Sequence, residues 1–245
     1  MNGTVFTYGQ TSSGKTFTMT GAPSHPGVVQ LSTSEIFDTI AQSSRAYTVR
    51  VSYMEIYNEN IRDLLSPNND NLRIKENTNR EIFVGGLTEA PVKCAAEVAQ
   101  IMSRGEEHRH FGVTNMNERS SRSHTIFRFV IESREQATDC AESGGRVAYL
   151  NLVDLAGSER ARQTGAEGAR LKEGSHINRS LLTLTTVIGK LSEGNDNVHI
   201  PFRDSKLTRI LQPSLGGNAR TAIIATVTPA GGFAEETTST LKFAS

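Results

Sequence analysis

Thr4-Val5-Phe6-Thr7-Tyr8-Gly9-Gln10-Thr11-Ser12-Ser13-Gly14-Lys15-Thr16 is a β-prone pentapeptide running into a complete G-x-x-x-x-G-K-T octapeptide. Branched and aromatic residues predict a strand over the first part, the glycines predict a tight loop, and Lys15 to Met19 opens a helix. Strand, glycine-rich loop and helix are the context in which this motif cradles a triphosphate. The glycines of Gly9, Gln10, Thr11, Ser12, Ser13 and Gly14 let the backbone fold round the anion, so that consecutive N–H groups and the helix N-terminus face it. Lys15 then reaches the β- and γ-phosphates, and the Thr16 hydroxyl ligates Mg²⁺. A glycine-rich turn with an exposed lysine is the plainer reading, but it leaves the position between strand and helix unexplained.

Working outward, Leu150-Asn151-Leu152-Val153-Asp154 reads as a strand ending in an acid, where a carboxylate holds Mg²⁺ through water. Asp154-Leu155-Ala156-Gly157 continues as a D-x-x-G turn whose glycine N–H can sense a γ-phosphate. Alone, an acid at the end of a strand is commonplace; beside the phosphate loop it becomes half of a site. The acid follows Lys15 by 139 positions, too far for the compact layout of small GTPases.

Elsewhere turn-rich and apolar segments alternate, which predicts an α/β chain of one domain. Helices are expected over 27–42, 95–109 and 234–245, strands over 47–57, 124–133 and 146–154, and a fully buried strand over 221–227. The clearest helix carries Ile177, Leu181, Leu184, Ile188 and Leu191 at helical spacing, an apolar stripe that must pack on something. Polar stretches over 66–71, 133–145 and 193–197 read as surface loops.

The chain has 245 residues with 26 basic and 26 acidic side chains, so its formal charge is zero. That balance excludes a polyanion binder recognised by composition alone, and no apolar run approaches the ~18 residues of a membrane span. Cys94 and Cys140, too few for a framework, suggest two structural thiols in a reducing compartment. The six histidines form no metal-binding pattern: His108 and His110 do not share a helix face, and neither a Cys pair nor H-E-x-x-H accompanies them. His124 reads as structural.

Taken together, these residues resemble a kinesin motor domain over essentially the whole chain. Five segments carry the resemblance: Phe6 to Thr16, Val51-Ser52-Tyr53-Met54-Glu55-Ile56-Tyr57-Asn58-Glu59, Asn117-Glu118-Arg119-Ser120-Ser121-Arg122-Ser123-His124, Asp154-Leu155-Ala156-Gly157-Ser158-Glu159, and Arg203-Asp204-Ser205-Lys206-Leu207-Thr208-Arg209-Ile210-Leu211. The stretches from His110 to Ser133 and Ile177 to Leu181 look most like the centromere-associated mitotic kinesins and their plant relatives. The resemblance implies a three-layer α/β/α P-loop NTPase fold with a mixed, mostly parallel sheet. It also implies ATP and Mg²⁺ as cofactors and microtubule-stimulated ATP hydrolysis in the cytoplasm, on the cytoskeleton.

Site residues follow by position. Asn117 to His124 matches switch I, in which Ser120 joins Thr16 on Mg²⁺ and Ser121 holds the attacking water. Asp154 to Glu159 matches switch II, with Gly157 donating to the γ-phosphate and Asp154 on Mg²⁺ through water. Arg122 and Glu159 match the salt bridge between the switches, and Glu159 is the distal proton acceptor. Phe17 takes the place of the ring that stacks on adenine. Phosphoryl transfer needs positioning and charge neutralisation more than a strong base, so hydroxyls and a relayed water can serve.

Charge is segregated. From Arg160 to Arg220 ten basic side chains face five acidic ones, and the rest of the chain carries the compensating acidic excess. The resemblance makes this the microtubule-facing stretch, with Arg160, Arg203, Lys206 and Arg209 at contact positions. A solvated basic face is the bland reading. Nucleic acid is disfavoured because no aromatic stacking set accompanies the charge. In such kinesins the whole protein dimerises through a coiled coil that these residues do not include. The family's motor core also starts upstream of this chain, with a first central strand and an Arg-x-Arg-Pro motif, and continues past it into the neck linker. The resemblance therefore implies a core truncated at both ends, with a non-motile or inactive microtubule-binding fragment as the alternative to a working motor.

Overall fold

The computed structural model describes residues 2–111, 119–135, 145–159, 169–194, 198–216 and 219–245. In chain order its elements are β1 (Asn2–Tyr8), α1 (Lys15–Thr20), α2 (Val28–Ala41), β2 (Ala46–Tyr57), β3 (Asn60–Asp63), β4 (Arg73–Glu76), β5 (Ile82–Gly85), β6 (Ala90–Val92) and α3 (Ala95–Phe111). They continue as β7 (His124–Arg134), β8 (Arg146–Asp154), α4 (Ala169–Ser192), α5 (Lys206–Leu215), β9 (Ala219–Ala225) and α6 (Ala234–Ala244).

Strand alternation sorts the core into two halves. Phe6, Met54, Ile56, Ile126 and Val153 point to one face of the sheet, where Leu181 and Leu184 of α4 and Leu207, Ile210 and Leu211 of α5 cover them. Val51, Tyr53, Phe127, Phe129 and Leu152 point to the other, under Met19, Val29, Val98 and Met102 from α1, α2 and α3. The result is the expected three-layer α/β/α arrangement. Each fully buried large apolar side chain contributes about 1.5–3 kcal/mol. The expected stripe on α4 is borne out where it is described: Leu181, Leu184 and Val187 are buried, while Leu182, off the stripe, is 68% exposed.

The seven-stranded sheet runs β3-β2-β7-β8-β1-β9, with β6 also on β2. It is mixed, as expected, but it is not mostly parallel. Among the described residues only the β1–β8 and β1–β9 pairs of this sheet are parallel; β2–β3, β2–β6, β2–β7 and β7–β8 are antiparallel. The reason is connection length: β7 ends at Arg134 and β8 begins at Arg146, closer than the roughly a dozen or more residues that a parallel crossover needs, so the return is antiparallel. The parallel part decides the site. β1 and β8 end level, with Thr7 opposite Asp154, so the loop after β1 and the acid ending β8 emerge side by side.

Two further expectations change. The strand over 221–227 is β9 (Ala219–Ala225), and it is not buried: Arg220 to Ile223 are exposed, with Ile223 at 38%. Among the described residues β9 pairs with β1 alone, and an apolar run reads the same whether one face or both are covered. Cys94 is an exposed free thiol and no part of the core; Cys140 lies outside the described residues. Four short strands, β3 to β6, gave no periodic signal, because each has three or four residues and takes its conformation from its partner.

One turn carries more than its length suggests. Asn58 (φ 51°) and Glu59 (φ 56°) are both left-handed and join β2 to β3, with Tyr57 opposite Asn60, the backbone of a two-residue hairpin. Glu59 pays no penalty without return: its carboxylate accepts from Ser205 Oγ at 2.9 Å and from the Lys206 N–H at 2.8 Å, capping α5.

Candidate nucleotide site and charged face

The loop after β1 is bent by two left-handed residues, Ser12 (φ 62°) and Gly14 (φ 99°). It is braced from within and from the neighbouring strand end. Ser13 Oγ lies 2.7 Å from the Gln10 carbonyl oxygen, to which it donates, and 2.6 Å from Thr226 Oγ1. A side chain at Gly9 would collide with the Thr226 carbonyl oxygen, so glycine is required there by close approach. Lys15, only 7% exposed, donates from Nζ to the Gln10 carbonyl oxygen at 2.7 Å. Burial lowers its pKa, and the nearby Asp154 and Glu159 carboxylates push it back up.

Thr16 Oγ1 donates to Asp154 Oδ2 at 2.6 Å, and Thr7 Oγ1 donates to Oδ1 at 3.2 Å. Three successive amides of the following turn are engaged. Ala156 N–H donates to His124 Nδ1 at 3.0 Å, Gly157 N–H to the Ser121 carbonyl oxygen at 2.9 Å, and Ser158 N–H to the Gly9 carbonyl oxygen at 3.1 Å. Both Glu159 oxygens accept from Thr11: Oε2 from its N–H at 2.8 Å and Oε1 from its hydroxyl at 2.5 Å. A side chain at Gly157 would press into this Glu159–Thr11 contact.

The donor set fits a magnesium–triphosphate group. A hydroxyl and a carboxylate converge at hydrogen-bond distance, which is hard-oxygen chemistry suited to Mg²⁺, and a buried ammonium stands beside them. Gln10 Oε1 is buried in the loop with no hydrogen-bond partner among the described residues, an acceptor that a bound molecule or water can satisfy. Phe17 is 56% exposed, its ring 6.3 Å from that of His25, open on the surface for stacking. Of the remaining residues expected here, Ser121 and Arg122 stand in the short 3₁₀ turn Arg119–Arg122. The Ser120 side chain and Arg160 lie outside the described residues.

Three comparisons bear on identity. The kinesin motor domain family model matches residues 1–245. The chain belongs to the kinesin motor domain family. It is 60% identical over 251 residues to kinesin-like protein KIN-7O of Arabidopsis thaliana, a match covering all of this chain and 20% of that protein. Centromere-associated protein E of Homo sapiens is 54% identical over 249 residues, covering all of this chain and 9% of that one. Both agree with the centromere-associated and plant resemblance read from the sequence. The solved structure of a fast kinesin superposes with a TM-score of 0.90 at 48% identity, covering 99% of this chain and 69% of that chain. This kinesin chain therefore spans a fifth or less of those two relatives' length.

The charged face of the kinesin fold is built differently. Arg203 is 78% exposed, with one long ion pair of 3.8 Å to Glu76 on β4 among the described residues. Arg209 is 16% exposed and is held by Glu76 and by Gln212 Oε1 at 2.5 Å. Lys206 is half-buried at the start of α5. Residues the sequence did not single out also shape both regions. Thr7 holds Asp154, Thr226 braces the loop after β1, and Glu76 anchors Arg209; each meets a partner far away in sequence, with no motif to mark it.

Proposed function

We propose that this kinesin chain hydrolyses ATP with Mg²⁺ and that microtubules stimulate the turnover. The observation that carries the reading is the convergence of Lys15, Thr16, Asp154 and the Gly157 N–H at the level ends of β1 and β8. ATP, when bound, supplies the phosphoryl group. The loop amides and the Lys15 ammonium hold its β- and γ-phosphates, and Phe17 offers a ring to the adenine. Thr16, Ser120 and, through water, Asp154 hold the magnesium.

Ser121 orients the attacking water, and Gly157 moves its N–H from the Ser121 carbonyl to the γ-phosphate. Glu159 exchanges Thr11 for Arg122 in the closed arrangement and takes the proton from the attacking water through a second water. Orientation and charge neutralisation of this kind account for most of phosphoryl-transfer catalysis. Arg160, Arg203 and Lys206 meet the acidic microtubule surface, with Arg209 behind them, and the whole acts as one domain on the microtubule cytoskeleton.

The test is ATP turnover with and without microtubules, beside a Lys15→Ala control, together with sedimentation on microtubules at rising salt. Stimulated, Lys15-dependent turnover and salt-weakened pelleting are expected. Salt-weakened pelleting with no turnover would turn the reading to a microtubule-binding chain without motor activity, and neither would overturn both.

A further inference from the structure

His124 stands at the junction of three segments that the mechanism treats separately. It opens β7 directly after the switch I turn, it is only 2% exposed, and both ring nitrogens are engaged. Nδ1 lies 3.0 Å from the Ala156 backbone nitrogen, and Nε2 lies 2.7 Å from Ser180 Oγ on α4. A backbone N–H can only donate, so Nδ1 accepts. Burial, together with the positive charges of Lys15 and Arg109, drives the ring's pKa down to about 3 and keeps it neutral. Its one proton therefore sits on Nε2 and is donated to the Ser180 hydroxyl. The tautomer is fixed by the partners, and the chain of bonds has one direction: switch II backbone to ring, ring to α4.

The neighbouring amide gives this arrangement a consequence. Ala156 and Gly157 donate to the same segment, Gly157 to the Ser121 carbonyl oxygen and Ala156 to His124. The Gly157 bond is the one that must open if its N–H is to reach a phosphate. The Ala156 bond is buried, and breaking it would leave a nitrogen unpaired away from water, which is costly. Gly157 can swing; Ala156 is held. The pivot of that swing is the imidazole, and the imidazole is tied to α4 by Ser180, itself 3% exposed.

We infer that His124 is a positioning residue that hinges the Asp154–Gly157 turn and, through Ser180, couples the position of α4 to the reach of the Gly157 N–H. This rests on the proposed function, in which Arg160 and Arg203, before and after α4 in the chain, meet the microtubule. A displacement of α4 carries Ser180, the ring follows, and the Ala156–Gly157 peptide shifts relative to the phosphate loop. Neither His124 nor Ser180 touches the reacting atoms.

The test uses Ser180→Ala, which keeps the ring and its bond to Ala156 but removes the acceptor on α4, and Ser180→Thr, which restores a hydroxyl. Two readouts are taken on each: turnover with and without microtubules, and nitrogen-15 NMR of the His124 ring with hydrogen exchange of the Ala156 amide. For Ser180→Ala the basal rate and half-saturating ATP concentration are expected within about twofold of wild type, with microtubule stimulation reduced at least fivefold and Ala156 exchange at least tenfold faster. Ser180→Thr recovers most of both. Stimulation and exchange unchanged in Ser180→Ala overturn the inference, as does equal loss in both variants, which marks a merely structural site. If the wild-type chain itself shows no stimulation, the proposed function fails instead, and the Ala156 exchange and ring tautomer alone decide the coupling.

Discussion

The phosphate edge of the sheet and the basic face over α5 hold charges of similar number and treat them in opposite ways. At the phosphate edge Lys15 and Asp154 are 7% and 5% exposed, and a backbone carbonyl and two hydroxyls fix them at hydrogen-bond distance. On the basic face Arg203 is 78% exposed and reaches one carboxylate at 3.8 Å. Charges removed from water act strongly on what they touch and tolerate no error in placement. Exposed charges act weakly, one by one, and through their sum. In the proposed function one region does chemistry at a few atoms, and the other steers a surface.

The largest break of this contrast comes from Lys15→Ala, which is expected to abolish nucleotide binding and lower turnover by roughly a hundredfold or more, read by titration with a fluorescent nucleotide and by phosphate release. Glu159→Ala follows: ATP affinity within about threefold of wild type, but turnover down about a hundredfold, the loss expected for a proton-transfer residue. Wild-type turnover in a folded Glu159→Ala protein removes Glu159 from its role.

His124 sharpens the comparison through pH. Its folded pKa of about 3 lies below the ordinary histidine value, so the native state binds fewer protons than the unfolded chain between these values. The stability from the neutral ring is full above about pH 6.5 and is lost as pH falls towards 3. From pH 7 to 5 this one group removes about 2 kcal/mol, at about 1.4 kcal/mol per pH unit. Denaturant unfolding at the two pH values measures it, and nitrogen-15 ring shifts should report the neutral Nε2-protonated form throughout. A ring that titrates near 6.5 in the folded protein refutes the assignment.

The basic face supplies the smaller effects, and they divide by burial. Arg209→Ala is expected to cost about 1 kcal/mol of stability, because it removes a mostly buried side chain with its packed stem and its bonds to Glu76 and Gln212, and thermal melts will show it. Arg203→Ala should leave stability within about 0.5 kcal/mol while weakening microtubule affinity about two- to threefold at low salt, an effect that fades as salt rises. If Arg203 proves the more stabilising residue of the two, exposure is a poor guide on this face.

This same contrast explains what was legible in the sequence. The loop of Gly9 to Thr16, the acid Asp154 and the glycine Gly157 could be read because their chemistry demands particular residues at fixed spacing. The stripe of Leu181 and Leu184 could be read because burial imposes a helical period. Glu76 could not be read as the partner of Arg209, nor Thr226 as a brace for Ser13: these meetings depend on which strands lie side by side, and a carboxylate or hydroxyl in a short strand carries no mark of its partner. The parallel fraction of the sheet escaped for the same reason, since strand direction is set by how loops return. His124 was read correctly as structural, yet only its two partners show what the structure there is for.

The Asn58–Glu59 turn has a practical corollary. A two-residue hairpin tip with an exposed asparagine is the usual place to graft an epitope or a fluorophore tag. Here the tip is also the N-terminal fastening of α5, since Glu59 holds Ser205 Oγ and the Lys206 N–H. A label spliced between Asn58 and Glu59 would unfasten a helix almost 150 residues downstream in sequence, so the tip is best left intact.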